Sequence, residues 1–148
     1  MSLKSGYLLA YNAISLTLWA YLLWRTLSSA PALFAQNRLQ DLYPAVASPL
    51  LTATQSLAIL EIIHAATGLV RASTLTTALQ VIGKNLVVWT VMMQFPELIM
   101  GPLGEGATGI WAFLGCVVFW AVSEIVRYGY FAVLLTTGAT PEPLKWLR

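Results

Sequence analysis

From Tyr7 to Trp24 the chain runs eighteen residues without a formal charge. A helix rises 1.5 Å per residue, so about twenty apolar residues cross the roughly 30 Å hydrocarbon core of a bilayer. A helix of this kind is either buried inside a soluble domain or surrounded by lipid. Composition decides between the two. Of 148 residues, 58% are hydrophobic and only 9% charged, and the mean hydropathy is +0.73. A soluble domain carries roughly 25% charged residues. This chain has too few to face water and reads as an integral membrane protein.

Three more apolar stretches follow the first. The spans are expected at about 7–27, 49–70, 78–95 and 110–135. Together they form an all-α, polytopic transmembrane helix bundle, a single domain over 1–148. Arg25 is expected to close the first span, with Trp19 and Trp24 near that end as an aromatic belt. Residues 28–47 hold Pro31, Asn37, Arg38, Asp41 and Pro44 and read as a loop with room for a short interfacial helix. "RASTLTT" (71–77) reads as a polar turn, and "PELIMGPLGEGATG" (96–109) as a loop rich in glycine and proline. "TTGATPEPLKWLR" (136–148) reads as a polar tail. A cleaved signal peptide is disfavoured, because the first apolar run exceeds a usual h-region and Pro31 follows the small residues at 28–30.

Orientation follows from Lys and Arg. One side of the membrane receives Lys4, Arg71, Lys145 and Arg148. The other receives Arg25 and Arg38, while the 96–109 loop adds only Glu97 and Glu105. The positive-inside rule therefore expects a cytoplasmic N-terminus. Several classes fall away at this stage. A single cysteine, Cys116, permits no disulfide within the chain. One histidine and one cysteine supply neither a zinc cluster nor repeated histidine boxes, so no metal is expected. A net charge of +2, scattered along the chain, gives no nucleic-acid surface.

The ionisable residues inside the spans carry the functional information. Glu61 and His64 lie three apart in the second span, Lys84 lies in the third, and Glu124 and Arg127 lie three apart in the fourth, followed by Tyr128 and Tyr130. A charge at the bilayer centre costs at least about 2.5–3.5 kcal/mol, so such groups face the bundle interior and pair. Spacing of i and i+3 puts each pair on one helix face. If the two faces meet, they form a buried network of two carboxylates, an imidazole, a guanidinium and phenols. Such a set can bind a hydroxylated or anionic group or move a proton. The same pairs also serve plain helix packing, with Glu124 and Arg127 neutralising each other. Glu-x-x-His is, in addition, half of a bundle di-iron motif, but its second half is missing. Tyr7, Tyr11 and Asn12 are expected to be interface and packing residues.

Four blocks carry a resemblance to a known family. They are "YLLAYN" (7–12), "LEIIHAATGLVRAS" (60–73), "TALQVIGKNLVVW" (77–89) and "FWAVSEIVRYGYF" (119–131). In that order and spacing the chain resembles the (3R)-3-hydroxyacyl-CoA dehydratases of very-long-chain fatty acid elongation, also called protein-tyrosine-phosphatase-like membrane proteins. One departure is visible: the family usually has Ser-Arg where this chain has Gly83-Lys84. The charge is kept and the bidentate fork is lost.

The resemblance implies a multi-pass enzyme of the endoplasmic reticulum membrane, a lyase acting on an acyl-CoA within membrane lipid, with neither a metal nor a redox cofactor. It would work beside the other enzymes of the elongation cycle, on the route to sphingolipid precursors. It also implies that this chain matches the first four spans of a six-span fold. The family's catalytic Tyr and Glu follow a Trp-Leu-Arg, and the "KWLR" (145–148) of this chain places them beyond Arg148. No catalytic residue is therefore carried over, and the chain is expected to be incomplete at its C-terminus. The supporting polar network implied is Glu61, His64, Arg71, Lys84, Glu124, Arg127 and Tyr128. The alternative is a catalytically inactive member that binds elongation enzymes through its helices.

Overall fold

A computed structural model describes residues 2–101 and 108–146. Glu105 and Arg148, both used in assigning the orientation, lie outside the described residues. Four helices are long and apolar enough to cross a membrane: Leu3–Ala35, Pro49–Ala66, Thr74–Met92 and Thr108–Thr137. They are called here the first to fourth spans. Among the described residues there is no strand. Only 22–33% of each span is buried within the chain, and Ile14, Trp24, Leu79, Leu86 and Phe119 point outward. An apolar exterior of this extent is the surface of a bundle solvated by lipid.

The first span is longer than expected. Ser2 caps its start, its Oγ accepting the Ser5 N–H at 3.1 Å. Arg25 does not end it. The helix continues through Pro31 to Ala35, while Arg25 reaches sideways to donate its Nε–H to the Ala45 carbonyl at 3.2 Å. The helix stops where Asn37 takes a left-handed conformation, φ 54°. There the N–H of Arg38 bonds to Leu33 O at 2.8 Å and that of Asn37 to Phe34 O at 3.0 Å, which satisfies the last carbonyls. The rest of the expected 28–47 loop is also mostly helical, with a 3-10 turn at Leu39–Asp41 and a short helix at Leu42–Val46. Its residues Leu39, Leu42 and Val46 are buried, and this burial holds it against the bundle. Trp19, expected in the aromatic belt, is 2% exposed and belongs to the core.

Helix ends set the other spans. The second ends at Ala66, short of Val70, because Gly68 adopts φ 69° and turns the chain. The third starts at Thr74, inside the expected turn, because the Ser73 Oγ accepts the Thr76 N–H. The backbone widens to the i→i+5 pattern at Ala47–Leu51, around Pro49, and at Val87–Met92. Side chains take up the freed carbonyls: Thr52 Oγ1 donates to Ala47 O at 2.9 Å, and the Tyr43 hydroxyl donates to Met92 O. The expected 96–109 loop contains a short helix, Glu97–Met100, and the tail contains another, Glu142–Trp146.

The first span packs along the fourth, and the third packs against the second. The large apolar core lies toward one end of the bundle, with Trp19, Leu22, Leu42, Val88, Ile110 and Phe113 at its centre. The opposite end is the end of the N-terminus, the 67–73 turn and Gly138. The ionisable residues gather in that half.

Candidate functional site

Tyr7 and Tyr11 lie about one and two turns into the first span, four residues apart and so on one face. The Tyr7 hydroxyl hydrogen-bonds His64 Nε2 at 2.8 Å. The Tyr11 hydroxyl donates to Glu61 Oε1 at 3.2 Å. Both tyrosine rings meet the His64 ring edge-on, with centroids 5.4 and 4.9 Å away. Glu61 and His64 do share a helix face, but each is engaged by a different partner on the first span. Tyr7 and Tyr11 were expected only to pack. Their i, i+4 spacing was the sign of a polar face, and it was readable.

The fourth span supplies the opposite wall. Arg127 forks onto Glu61, Nη1 to Oε2 and Nη2 to Oε1, both at 2.8 Å. Its Nε donates to Glu124 Oε2 at 2.7 Å. Tyr128 donates to Glu61 Oε1 at 2.5 Å. Lys84 of the third span donates its Nζ–H to Glu124 Oε1 and lies 5.8 Å from the Trp120 ring centroid. The expected pair of Glu124 and Arg127 is present, but it is part of a larger chain: Lys84, Glu124, Arg127, Glu61, then the two phenols. Two carboxylates and two cations make it neutral. The interhelix fork between Arg127 and Glu61 was not legible, because no residue spacing reports the distance between two helices.

The cluster is deep. Measured along each helix at 1.5 Å per residue, Tyr11 is about 12 Å from Leu3, Glu61 about 8 Å from Ala66, Lys84 about 15 Å from Thr74 and Glu124 about 20 Å from Thr137. Bare charges at such depth would cost roughly 10–14 kcal/mol together on insertion scales. Pairing removes most of that cost, and the bidentate fork is the strongest contact available to do it. Glu124 is 5% exposed and His64 5%, whereas Lys84 and Arg127 keep a third of their side-chain surface open. The arrangement can hold charge, orient a hydroxyl and pass a proton among phenol, carboxylate and imidazole.

Two expected members lie elsewhere. Arg71 is exposed in the turn between the second and third spans, without an ion pair among the described residues. Tyr130 turns to Phe131, ring centroids 5.5 Å apart. The Gly83-Lys84 departure is sterically neutral, since a Cβ at Gly83 would meet nothing within 4 Å. No group of three or more potential metal ligands occurs among the described residues.

Residues 55–148, well over half of the chain, match the family model described as protein tyrosine phosphatase-like protein, PTPLA. The chain belongs to this family. Every member of the ionic cluster lies inside the matched segment, while Tyr7 and Tyr11 precede it. Over its length the chain is similar to a Schizosaccharomyces pombe protein named probable very-long-chain (3R)-3-hydroxyacyl-CoA dehydratase. The two are 34% identical, across 99% of this chain and 64% of the relative. It is 34% identical to a Caenorhabditis elegans very-long-chain (3R)-3-hydroxyacyl-CoA dehydratase, across 96% of this chain and 59% of the relative. An Arabidopsis thaliana family member of the same name, PASTICCINO 2, is 29% identical across 96% and 58%. The chain thus spans about six-tenths of the length of these relatives. No solved structure matches it.

Proposed function

We propose that the protein is a very-long-chain (3R)-3-hydroxyacyl-CoA dehydratase, a carbon–oxygen lyase of fatty acid elongation. The observation that carries this reading is the neutral cluster of Glu61, Lys84, Glu124 and Arg127, sunk in an apolar bundle and lined by the phenols of Tyr11 and Tyr128. Family membership and the relatives' names support it. The reaction takes a proton from C2, and the C3 hydroxyl leaves with a proton as water, giving the trans-2-enoyl-CoA. No electrons are gained or lost. The step needs one group to accept a proton and one to supply it.

In this proposal the cluster is the supporting frame of the reaction site, not its acid and base. Arg127 and Lys84 fix the two carboxylates, and Glu61 fixes the phenols. Charges balanced in advance keep their positions when an acyl thioester enters. Tyr7 and His64 form its outer edge. Arg71, exposed in the turn between the second and third spans, meets the phosphates of the CoA. The acyl chain remains in the membrane, so the cluster sits where the two parts of the substrate join. An endoplasmic reticulum location with a cytoplasmic N-terminus puts Lys4, Arg71 and Lys145 on the side that holds CoA esters. Other elongation enzymes are the expected partners, and sphingolipid precursors the downstream use.

The test is conversion of a long-chain 3-hydroxyacyl-CoA to its enoyl-CoA by the full-length protein in membranes, followed by mass spectrometry. Conversion is expected, and Glu61→Gln is expected to slow it about ten- to a hundredfold by loosening the frame. A well-folded protein that neither converts nor binds the substrate would refute the proposal and leave the inactive, partner-binding member as the reading.

A further inference from the structure

Donors and acceptors do not balance in the ionic cluster. All four carboxylate oxygens are engaged. Glu61 Oε1 accepts from Tyr11, Tyr128 and Arg127 Nη2, and its Oε2 from Arg127 Nη1. Glu124 Oε1 accepts from Lys84, and its Oε2 from Arg127 Nε. The cations have N–H groups left over, since an ammonium carries three donors and a guanidinium five. Lys84 gives one to Glu124 and lies beside the Trp120 ring, with no other hydrogen-bond partner among the described residues. Arg127 uses Nε, one N–H of Nη1 and both of Nη2 on the two carboxylates, which leaves the second N–H of Nη1. Exposure follows the same division. The side chains of Lys84 and Arg127 are each 33% open, against 7% for Glu124 and 15% for Glu61.

Spare donors in an apolar bundle call for a ligand that brings lone pairs. Charge and depth narrow its kind. Two carboxylates and two cations make the cluster neutral, so no net charge offsets the desolvation of a full anion such as a phosphate. A neutral carbonyl oxygen enters at far smaller cost. Lys84 lies about 15 Å along its helix from Thr74, half the thickness of the hydrocarbon core. The ester carbonyls of phospholipids stay at the boundary of that core. A carbonyl reaches Lys84 on a molecule that inserts between the spans, as an acyl thioester does.

We propose that Lys84 donates a hydrogen bond to the carbonyl oxygen of the acyl thioester and so acts as a catalytic residue that is neither acid nor base. When C2 gives its proton to the accepting group, the C–H electron pair forms the C1–C2 double bond and the carbonyl pair moves onto oxygen. Negative charge then gathers beside an ammonium that Glu124 already holds in place. Return of that pair expels the C3 hydroxyl, which takes a proton from the supplying group and leaves as water. Lys84 keeps its protons throughout. The proposal rests on the dehydratase reading and adds to it the group that holds the thioester.

The experiment uses the full-length protein in nanodiscs of diether phosphatidylcholine, which has no ester carbonyl. The probe is a saturated long-chain acyl-CoA labelled with carbon-13 at C1, which lacks the hydroxyl and stays intact. Infrared difference spectra read its carbonyl stretch. With the unmodified protein the stretch is expected at lower frequency than in nanodiscs without protein. Lys84→Arg, which keeps spare N–H donors, is expected to retain the shift. Lys84→Met with Glu124→Gln removes one charge of each sign and so keeps the cluster neutral. This double variant is expected to bind the probe with its carbonyl unshifted. Its kcat on 3-hydroxyacyl-CoA is expected to fall about 100- to 1,000-fold, with KM little changed. A double variant with unmodified kcat and shift would overturn the proposal, because Lys84 would then only balance Glu124. So would a probe that binds the unmodified protein with its carbonyl unshifted. In a second arm the nanodiscs contain phosphatidylcholine labelled at its ester carbonyls and no probe. A Lys84-dependent shift there that acyl-CoA does not displace would assign the site to lipid and overturn the proposal as well. If the unmodified protein neither binds the probe nor converts 3-hydroxyacyl-CoA, the dehydratase reading itself fails.

Discussion

At the residue scale, Arg127 is the position on which the cluster depends. It holds Glu61 through a fork and Glu124 through Nε, so its loss takes a cation from two carboxylates and leaves Glu61 with none. Arg127→Met should destabilise the protein by about 3–5 kcal/mol, the cost of leaving buried charges unpaired. The pattern of rescue distinguishes the two carboxylates. Glu124 keeps Lys84 when Arg127 is gone, whereas Glu61 keeps only phenols. Glu61→Gln with Arg127→Met should therefore recover much of the loss. Unfolding of the purified variants in mixed micelles measures both, and a double variant no more stable than Arg127→Met would show that Glu61 is not the stranded group. The two phenols also differ. Tyr128→Phe removes a 2.5 Å bond to a carboxylate and should cost about 1.5–3 kcal/mol. Tyr11→Phe removes a 3.2 Å bond and should cost about 1 kcal/mol or less. A reversed order in the same assay would mean that ring packing, not the carboxylate, dominates.

At the element scale, two glycines make opposite predictions. A Cβ on Gly109 would lie 1.8 Å from Leu98 O, where the start of the fourth span crosses the short helix Glu97–Met100. Neither backbone can yield without shifting the other, so Gly109→Ala should cost at least about 1–3 kcal/mol. Gly83 sits inside the third span with open space where its Cβ would be. Gly83→Ala should be neutral, or stabilise the helix by up to about 1 kcal/mol. Melting temperatures of the two variants in detergent check the contrast, and a stable Gly109→Ala would mean that this crossing is looser than the structure describes.

At the scale of the whole molecule, the bundle is divided. An apolar core around Trp19, Leu22, Ile110 and Phe113 occupies one half, and the ionic cluster the other. The cluster lies in the half of the bundle that also holds Arg71, so orientation decides which side of the membrane that end faces. With Cys116 replaced by Ala, single cysteines at Ala72 and Ala139 should react with an impermeant maleimide from the cytoplasmic side of sealed microsomes. One at Asn37 should react only after the vesicles are opened. Labelling of Asn37→Cys in sealed vesicles would reverse the topology and place Arg71 on the other side of the membrane.

The sequence by itself determined the class and much of the outline. Apolar run length sets the number of spans, because the bilayer imposes a fixed thickness on every crossing helix. Low charge content settles the environment, and the motif blocks point to the family that the comparisons then show. Span ends were less legible. They turn on a single local event each: Asn37 and Gly68 in left-handed conformation, Ser73 as a cap, and Arg25 leaning aside so that the helix passes it. The tertiary structure alone decided which ionisable groups meet. Pairs three apart on one helix could be read, but the Arg127–Glu61 fork, the Lys84–Glu124 contact and the bonds from Tyr7 and Tyr11 join residues 40 to 66 positions apart. Such contacts depend on how helices are rotated and set against one another. That is fixed by packing of whole surfaces, which no short stretch of sequence contains.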